Sequence, residues 1–268
     1  MKLGFIGAGN MAGAIIKGFI NKNCVNSSDI CFIRQNKEKQ AQQATELGIN
    51  GCDNYDSLIE NSDILFLGVK PVVFPTLLPQ ITKSVKKKNP LVVSMAAGLT
   101  TDSIKEMLGY DAKIIRIMPN VNAAIAMSTT AVCKNEFASD EDLATIKNLF
   151  SSIGLTTEVP ENQFAIFTAI AGCSPAYVYM FIDGLARGAQ KMGMNKLKAL
   201  EIAASAVIGS ASMYAQSNEH PQELVDKVCS PGGTTIEGVT TLEEYKFTAG
   251  VVKAVENSIL KDRELSKK

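Results

Sequence analysis

Three small residues near the start of the chain constrain its fold more than any other feature. Gly7, Gly9 and Ala12 directly follow the apolar run Leu3–Ile6, and a helical pattern of apolar residues continues after them to Ile20. A short uncharged run, two glycines and an amphipathic repeat indicate a β-strand, a tight turn and an α-helix. The chain therefore begins with the first βα unit of an α/β fold.

This turn has the composition of a binding site for the pyrophosphate of a dinucleotide. Gly7 permits the sharp turn, Gly9 leaves no Cβ between the backbone and the phosphates, and Ala12 lets the helix pack closely against the strand. The free amides at the helix start then face the anion. A glycine-rich turn without a ligand is the alternative, but it has no need of three stability-lowering small residues at this spacing. The predicted contact residues are Gly7, Ala8, Gly9, Asn10, Met11 and Ala12.

The end of the second predicted strand, Ile30–Ile33, indicates which dinucleotide binds. An NAD-preferring site tends to have Asp or Glu there, which accepts hydrogen bonds from the ribose 2′-hydroxyl. Here the strand is followed by Arg34, two neutral amides and Lys37. A cation suits a 2′-phosphate, so the sequence predicts NADP, with NADPH preferred and NADH possible. The alternative is that both cations belong to the solvated start of a helix.

Two later strands end in residues suited to the wall of the same site. The run Ile64–Val69 leads into Lys70 and Pro71, and Leu91–Ser94 leads into small residues up to Gly98. Ligands bind at the carboxyl ends of the strands in such sheets, and small residues let the backbone approach a ligand closely. These segments are therefore predicted to contribute to the cofactor site, although Lys70 is equally compatible with a solvated loop.

Composition argues against several classes of function. The 27 basic and 27 acidic residues balance, which disfavours a nucleic-acid binder that relies on a basic face. The six cysteines form no CxxC pair and have no spacing typical of a metal site, so we predict neither a disulfide framework nor a bound metal. The apolar run at the start ends after six residues, unlike a signal peptide. We therefore predict a cytoplasmic protein.

The pattern of the chain changes at Pro160. Strands and helices alternate up to the predicted strand Leu155–Val159, which predicts a doubly wound (Rossmann) parallel sheet in a dinucleotide-binding domain of residues 1–159. Residues 160–268 contain only helical patterns, so we predict an all-α domain. Ile202–Ala215 has no charged residue on any face, yet it is too short and too rich in Ser and Gly to span a membrane. Because so small a domain cannot bury such a helix alone, we predict a homo-oligomer without a membrane partner.

One loop of the helical region has the residues of an anion site. Ser230–Ile236 reads SPGGTTI and leads into a further helical pattern. The amides and hydroxyls of Gly233, Thr234 and Thr235 lie at the start of that helix, where they can hold a carboxylate. Helix punctuation with a Thr N-cap explains the same residues without a ligand, and the residues alone leave both interpretations open.

Six segments, in this order, resemble pyrroline-5-carboxylate reductase, the family that catalyses the last step of proline synthesis. SPGGTTI together with the N-terminal GAGNMA is specific to that family among Rossmann reductases, and the resemblance extends over essentially the whole chain. The segments are GFIGAGNMAGAI at Gly4–Ile15, VKP at Val69–Pro71, SMAAG at Ser94–Gly98, RIMPN at Arg116–Asn120, SPAYVYMFIDGLA at Ser174–Ala186 and SPGGTTI at Ser230–Ile236.

The resemblance implies an N-terminal NAD(P)-binding domain and a C-terminal helical domain that forms homodimers, which can assemble into larger rings such as decamers. It places the active site between the cofactor and the SPGGTTI loop of a partner subunit. The chain departs from the usual family sequence at Val121-Asn122 and at Cys173-Ser174. Beyond the glycine turn, the implied cofactor positions are Arg34, Asn54, Val69, Lys70, Pro71, Ala96, Ala97 and Gly98, and the implied substrate positions are Ser230, Gly233, Thr234 and Thr235.

The implied reaction is hydride transfer from NAD(P)H to the imine carbon of 1-pyrroline-5-carboxylate, which gives L-proline. A protonated imine needs no strong acid from the protein, in agreement with a chain whose one histidine, His220, is predicted to cap a helix. Thr235 is the predicted catalytic hydroxyl, which hydrogen-bonds the ring nitrogen. Two alternatives remain, namely a β-hydroxyacid or related imine reductase, and a non-catalytic sensor of NADP(H).

Overall fold

The computed structural model of the chain describes residues 1–265. Its N-terminal part is built on one sheet of eight strands, in the order β3-β2-β1-β4-β5-β6-β7-β8. This order has the 3-2-1-4-5-6 sequence of a doubly wound dinucleotide-binding sheet. The strands are β1 (Leu3–Ile6), β2 (Ile30–Ile33), β3 (Asn50–Gly51), β4 (Ile64–Leu67), β5 (Leu91–Ser94), β6 (Ile114–Met118), β7 (Ser128–Lys134) and β8 (Gly154–Glu158).

The sheet departs from the predicted all-parallel arrangement at one place. Strands β6 and β7 pair antiparallel, with Arg116 opposite Cys133, whereas every other neighbouring pair is parallel. The connection between them contains only the short 3₁₀ segment Val121–Ile125. A parallel pair needs a crossover of a dozen or more residues, so this short connection forces the chain to turn back.

Helices cover both faces of the sheet. They are α1 (Asn10–Asn21), α2 (Lys37–Leu47), α3 (Tyr55–Glu60), α4 (Phe74–Lys88), α5 (Thr101–Leu108) and α6 (Asp140–Ser151). Leu3 and Phe5 contribute to one buried apolar cluster and Ile6 to another, as expected where successive side chains of a strand point to opposite faces. The ring of Phe5 stacks on that of Phe66 at 4.5 Å between centroids. The sheet therefore has a core on each side, and the predicted fold class is confirmed.

The rest of the described chain is helical, with no strand between residues 160 and 265. The helices are α7 (Phe164–Phe167), α8 (Ser174–Lys191), α9 (Lys196–Ala215), α10 (Pro221–Val228), α11 (Thr234–Glu244) and α12 (Phe247–Leu265). A π-helical segment, Thr168–Cys173, joins α7 to α8. By length and composition, Glu161–Lys191 is apolar enough to cross a membrane, and only 11% of its most apolar window is buried.

The chain divides into two compact units. The first unit contains Met1–Gly172 together with the end of α12 from Ile259, and the second unit contains Cys173–Ser258. The division that the sequence suggests, at residues 159 and 160, stays a prediction, and its last three residues lie outside the described part of the chain.

Candidate cofactor and substrate sites

The glycine turn has the close backbone approach that its sequence predicts. Gly7 has a positive φ of 88°, and a Cβ there would lie 2.8 Å from Val69 Cγ1. Gly68, at the end of β4, faces it, because a Cβ on Gly68 would meet the carbonyl oxygen of Gly7 and lie 3.0 Å from the Cβ of Ala12. Gly68 is part of this turn, although sequence reasoning did not assign it a role there. The glycine directly before the VKP segment was the available signal.

The start of α1 has free space in front of it. Gly9 is the N-cap residue and supplies no side-chain cap, and a Cβ there would meet no atom within 4 Å. The first amides of α1 therefore lack side-chain acceptors, and they lie at the positive end of the helix dipole. This is the geometry that a pyrophosphate requires.

A cavity of about 540 Å³ lies beside the turn, at the carboxyl ends of β1 and β2. Its size and position suit the adenosine half of a dinucleotide, which binds at the ends of parallel strands. Of the predicted cofactor residues, Gly7, Arg34, Asn54 and Val69 line it. Arg34 also lines a second cavity of about 480 Å³, which extends between α1 and α2 and includes Ala8, Gly9 and Asn10.

Arg34 is held by two glutamines of α2. Its Nη1 donates a hydrogen bond to Oε1 of Gln43 at 2.7 Å, and its backbone N–H donates to Oε1 of Gln40 at 2.8 Å. Gln40 is buried, and its Nε2 donates to the carbonyl oxygen of Cys52 at 2.9 Å. Arg34 is therefore an ordered cation that lines both cavities, whereas Lys37, the other cation of the solvated-helix alternative, is exposed. Sequence reasoning singled out Arg34 but missed both glutamines.

The other predicted cofactor residues lie at the starts of helical segments and in the connection that follows β5. Asn54 is the N-cap of α3, and its Oδ1 accepts a hydrogen bond from Ser57 N at 2.9 Å. Lys70 precedes a 3₁₀ turn that Pro71 begins, as the proline predicts. Ala96, Ala97 and Gly98 connect β5 to α5, where Ala96 is buried, Ala97 is exposed and Gly98 has a positive φ of 78°.

The SPGGTTI loop leaves a helix start open. Gly233 N–H donates to the carbonyl oxygen of Ser230 at 3.0 Å, and Gly232 has a positive φ of 67°. The N-cap of α11 is Gly233, which supplies no side-chain cap, so Thr234 and Thr235 are the first residues of the helix. The structure therefore does not have the Thr N-cap of the ligand-free interpretation. Thr235 is half-buried, whereas Ser230 and Thr234 are exposed.

His220 has the capping role that the sequence predicts. It is the N-cap of α10, and its Nδ1 accepts a hydrogen bond from Gln222 N at 3.2 Å. Its backbone N–H donates in return to Oε2 of Glu223 at 3.1 Å, which completes a capping box. The histidine is therefore engaged in folding the segment that precedes the SPGGTTI loop.

Buried Arg116 forms an ion pair with half-buried Glu161 that sequence reasoning missed. Its Nη1 lies 3.2 Å from Oε1 of Glu161, and its guanidinium lies 4.5 Å from the ring centre of Phe164. Glu161 also accepts hydrogen bonds from the N–H and the hydroxyl of Thr101, at 2.8 and 3.0 Å. Burial, with Glu161 adding to it, raises the pKa of the neighbouring Cys133 thiol to about 12. That cysteine is therefore a neutral core residue and not a nucleophile.

Asn120 connects β6 to the π-helical segment. Its Nδ2 donates to the carbonyl oxygen of Ala171 at 3.0 Å, and its Oδ1 accepts from Thr129 N at 3.2 Å. The side chain is buried and both ends of the amide are paired, so its orientation is fixed. The RIMPN segment thus contributes two structural side chains. Among residues 1–265, no group of three or more His, Cys, Asp or Glu residues is arranged to hold a metal ion.

Family models and curated relatives both match this chain to pyrroline-5-carboxylate reductases. A family model for pyrroline-5-carboxylate reductase dimerisation matches residues 161–265, and one for NADP oxidoreductase, coenzyme F420-dependent, matches residues 2–98. The pyrroline-5-carboxylate reductase of Escherichia coli K12 is 41% identical over 266 residues, covering 99% of this chain and 98% of that protein.

Solved structures of pyrroline-5-carboxylate reductases also superpose on this chain. The pyrroline carboxylate reductase of Plasmodium falciparum with NADP bound superposes with a TM-score of 0.89 at 29% identity, covering 99% of this chain and 98% of that one. The 1-pyrroline-5-carboxylate reductase of Streptococcus pyogenes has a TM-score of 0.87 at 37% identity, covering 98% of both chains.

The chain belongs to the pyrroline-5-carboxylate reductase family. The predicted family, the reaction class of an NAD(P)H-dependent oxidoreductase acting on a CH–NH group, and the use of NAD(P)H are confirmed. The match to a dimerisation domain supports oligomer formation by the helical region.

Proposed function

We propose that this pyrroline-5-carboxylate reductase binds its cofactor along the glycine turn of the first unit. The pyrophosphate lies at the start of α1, over Gly9, and the adenosine half lies in the larger cavity. The uncapped amides and the open space in front of Gly9 are the observation that carries this assignment. Val69–Pro71 and Ala96–Gly98, at the ends of β4 and β5, complete the cofactor wall.

Arg34 supports a preference for NADPH. Arg34 lines the larger cavity at the end of β2, where an NAD-specific site has a carboxylate. A guanidinium attracts a 2′-phosphate and has no acceptor for a 2′-hydroxyl. NADH, which lacks this phosphate, is expected to bind more weakly.

The SPGGTTI loop is the proposed substrate site. The open amides at the start of α11 suit the carboxylate of 1-pyrroline-5-carboxylate, because they lie at the positive end of a helix with no side-chain cap. The hydroxyl of Thr235 is proposed to hold the ring nitrogen. When bound, the reduced cofactor supplies the hydride that adds to the imine carbon. The protein then needs only to position a substrate whose nitrogen already carries a proton.

The biological unit is proposed to be a homodimer, and a larger ring such as a decamer would be built from such dimers. The dimerisation family model over residues 161–265 supports the dimer. The apolar segment Glu161–Lys191 is then covered by the second subunit and not by a membrane. We further propose a cytoplasmic location, in agreement with the bacterial relatives.

The assay that tests this function follows loss of NADPH absorbance with 1-pyrroline-5-carboxylate and with no added substrate, and gain of NADPH absorbance with NADP⁺ and 3-hydroxyacids. Only the imine should give turnover, whereas turnover of a hydroxyacid alone, or none at all, would support one of the two alternatives. Thr235→Ala is expected to lower kcat/KM by about 10²-fold, since a hydrogen bond to a charged group is lost. Thr235→Ser should retain most activity. Thr240→Ala is the matched control, because Thr240 lies on α11 and donates only within its own helix.

A further inference from the structure

We propose that Gln43 is a positioning residue for cofactor choice, because it aims the Arg34 guanidinium with a neutral acceptor. This inference rests on the proposed role of Arg34 at the 2′-phosphate. Gln43 lies on α2, nine residues along from Arg34, and its Oε1 accepts the Nη1 hydrogen bond at 2.7 Å. None of the sequence motifs includes Gln43.

The orientation of the Gln43 amide is set by its hydrogen bond to Arg34. An arginine has only donors, so the oxygen of the amide must face Arg34 and its nitrogen must face away. On that other side lies Gly13 of α1, where an added Cβ would come within 3.2 Å of Gln43 Nε2. The glutamine thus occupies a gap between α1 and α2 that Gly13 keeps open. A Cβ at position 13 would require the amide to shift slightly.

The neutrality of Gln43 matters for the charge of the corner. A glutamine restrains the guanidinium while leaving its full positive charge available to a phosphate. A glutamate at the same place would form an ion pair with Arg34 and would repel a phosphate dianion. Gln40 accepts a hydrogen bond from the backbone N–H of Arg34, whereas Gln43 accepts one from its guanidinium. One glutamine therefore restrains the main chain of Arg34 and the other restrains its side chain.

The corner has further cations that Gln43 does not hold. Lys17 and Lys39 line the smaller cavity together with Arg34, and Glu46 supplies one negative charge there. Lys17 and Lys39 add to the positive potential and Glu46 opposes it, but among the described cations Arg34 is the one that lines both cavities. The hydrogen bond between Arg34 and Gln43 therefore acts on the cation that the two cavities share.

The experiment measures binding of NADP⁺ and NAD⁺ by calorimetry, with no substrate present. Gln43→Glu should weaken NADP⁺ binding by about tenfold or more and change NAD⁺ binding by less than about twofold, because only the phosphate meets the new charge. Gln42→Glu is the matched control. It adds the same charge one residue away on α2, at an exposed position that lines the smaller cavity, and it should lower the ratio of NADP⁺ to NAD⁺ affinity clearly less than Gln43→Glu does, because Gln43 is the residue bonded to the Arg34 guanidinium.

A double-mutant cycle tests whether Gln43 acts through Arg34. Gln43→Met keeps side-chain length and helix propensity but removes the acceptor, and it should weaken NADP⁺ binding by about threefold to tenfold. In an Arg34→Ala background the same change should have no further effect. An equal effect in both backgrounds, or equal ratios for Gln43→Glu and Gln42→Glu, would overturn the inference alone. If Arg34→Ala left the NADP⁺ affinity unchanged, the proposed 2′-phosphate site would fall with it.

Discussion

The two units of this chain differ in how far their large apolar side chains are buried. In the first unit, large residues such as Phe5, Phe66 and Phe150 are fully buried in clusters on both faces of the sheet. In the second unit, the buried apolar residues are small ones. They are Pro175, Ala186, Ala199 and Ala203. The large apolar residues there face outward, and the first unit alone therefore contains a complete hydrophobic core.

The exposed residues of the second unit form too large an apolar surface for a monomer in water. Met180, Ile208 and Met213 are 75, 65 and 69% exposed. The part of α9 from Ile202 to Ala215 contains no charged residue. Contiguous apolar surface of this kind marks an interface. The first unit thus buries its large apolar side chains within itself, whereas the second unit leaves many exposed, in agreement with the match to a dimerisation domain and with oligomer formation.

The sharpest way to break this comparison is to place a charge on the exposed face of α9. Ile208→Glu is expected to yield monomers, because an unpaired carboxylate would have to be buried at the interface. Reduction of 1-pyrroline-5-carboxylate should fall by more than about 100-fold, since several kcal/mol of association are lost. NADP⁺ binding to the first unit should persist. Light scattering and calorimetry measure the two properties.

Leu155→Glu is the control for this variant. Leu155 lies on β8 of the first unit and is also 65% exposed, so the same charge is added at equal accessibility. It should leave the dimer and the activity near wild type. Dissociation by Leu155→Glu, or an intact active dimer with Ile208→Glu, would show that the exposed face of α9 is not the interface.

A cavity in the sheet core tests the other half of the comparison. Phe66→Ala removes a buried ring that stacks on Phe5 at 4.5 Å and lies 6.3 Å from the ring of Phe150. The expected cost is about 3–5 kcal/mol in the free energy of unfolding, with the folded protein still dimeric. Urea denaturation and light scattering measure both. Phe66→Leu should cost clearly less, and a folded monomer with Phe66→Ala would contradict the independence of the two units.

The sequence predicted the elements that local patterns determine. Short runs rich in apolar residues placed β1, β2 and β5, and His220 was expected to cap a helix and does so. What it missed depends on distant partners. The Arg116–Glu161 pair joins residues 45 positions apart, and Asn120 meets the carbonyl of Ala171 51 positions away. A short-range pattern of apolar residues gives no information on contacts between residues so far apart in the sequence.

The candidate site followed the same rule. The glycine turn was predictable because the small residues that its backbone requires lie within six consecutive positions. The hydrogen bond between Arg34 and Gln43 was not, because it depends on how α2 packs beside α1. The antiparallel direction of β7 was missed because the residues of a strand do not by themselves show which way its neighbour runs. Only the short connection through Val121–Ile125 distinguishes it.

The smallest expected difference between the units is in their response to acid. In the first unit, the backbone N–H of Lys2 donates to Asp63 at 2.8 Å and lowers the pKa of that carboxyl, despite some opposing burial. In the second unit, a hydrogen bond from Arg187, followed by one from Lys196, lowers the pKa of Asp183.

Since both pKa values are depressed in the folded state, each carboxylate stabilises the protein above its unfolded pKa of about 4, and this contribution is lost as the pH falls through the folded value. Asp63→Asn should therefore reduce the steepness of acid unfolding below about pH 4, by at most about 1 kcal/mol because the side chain is 54% exposed. Asp183→Asn should leave the acid unfolding of the first unit unchanged, since Asp183 lies on an exposed helix surface of the other unit. Urea midpoints measured at several acidic pH values test both, and a larger effect from Asp183→Asn would show that the stability of the sheet depends on the helices.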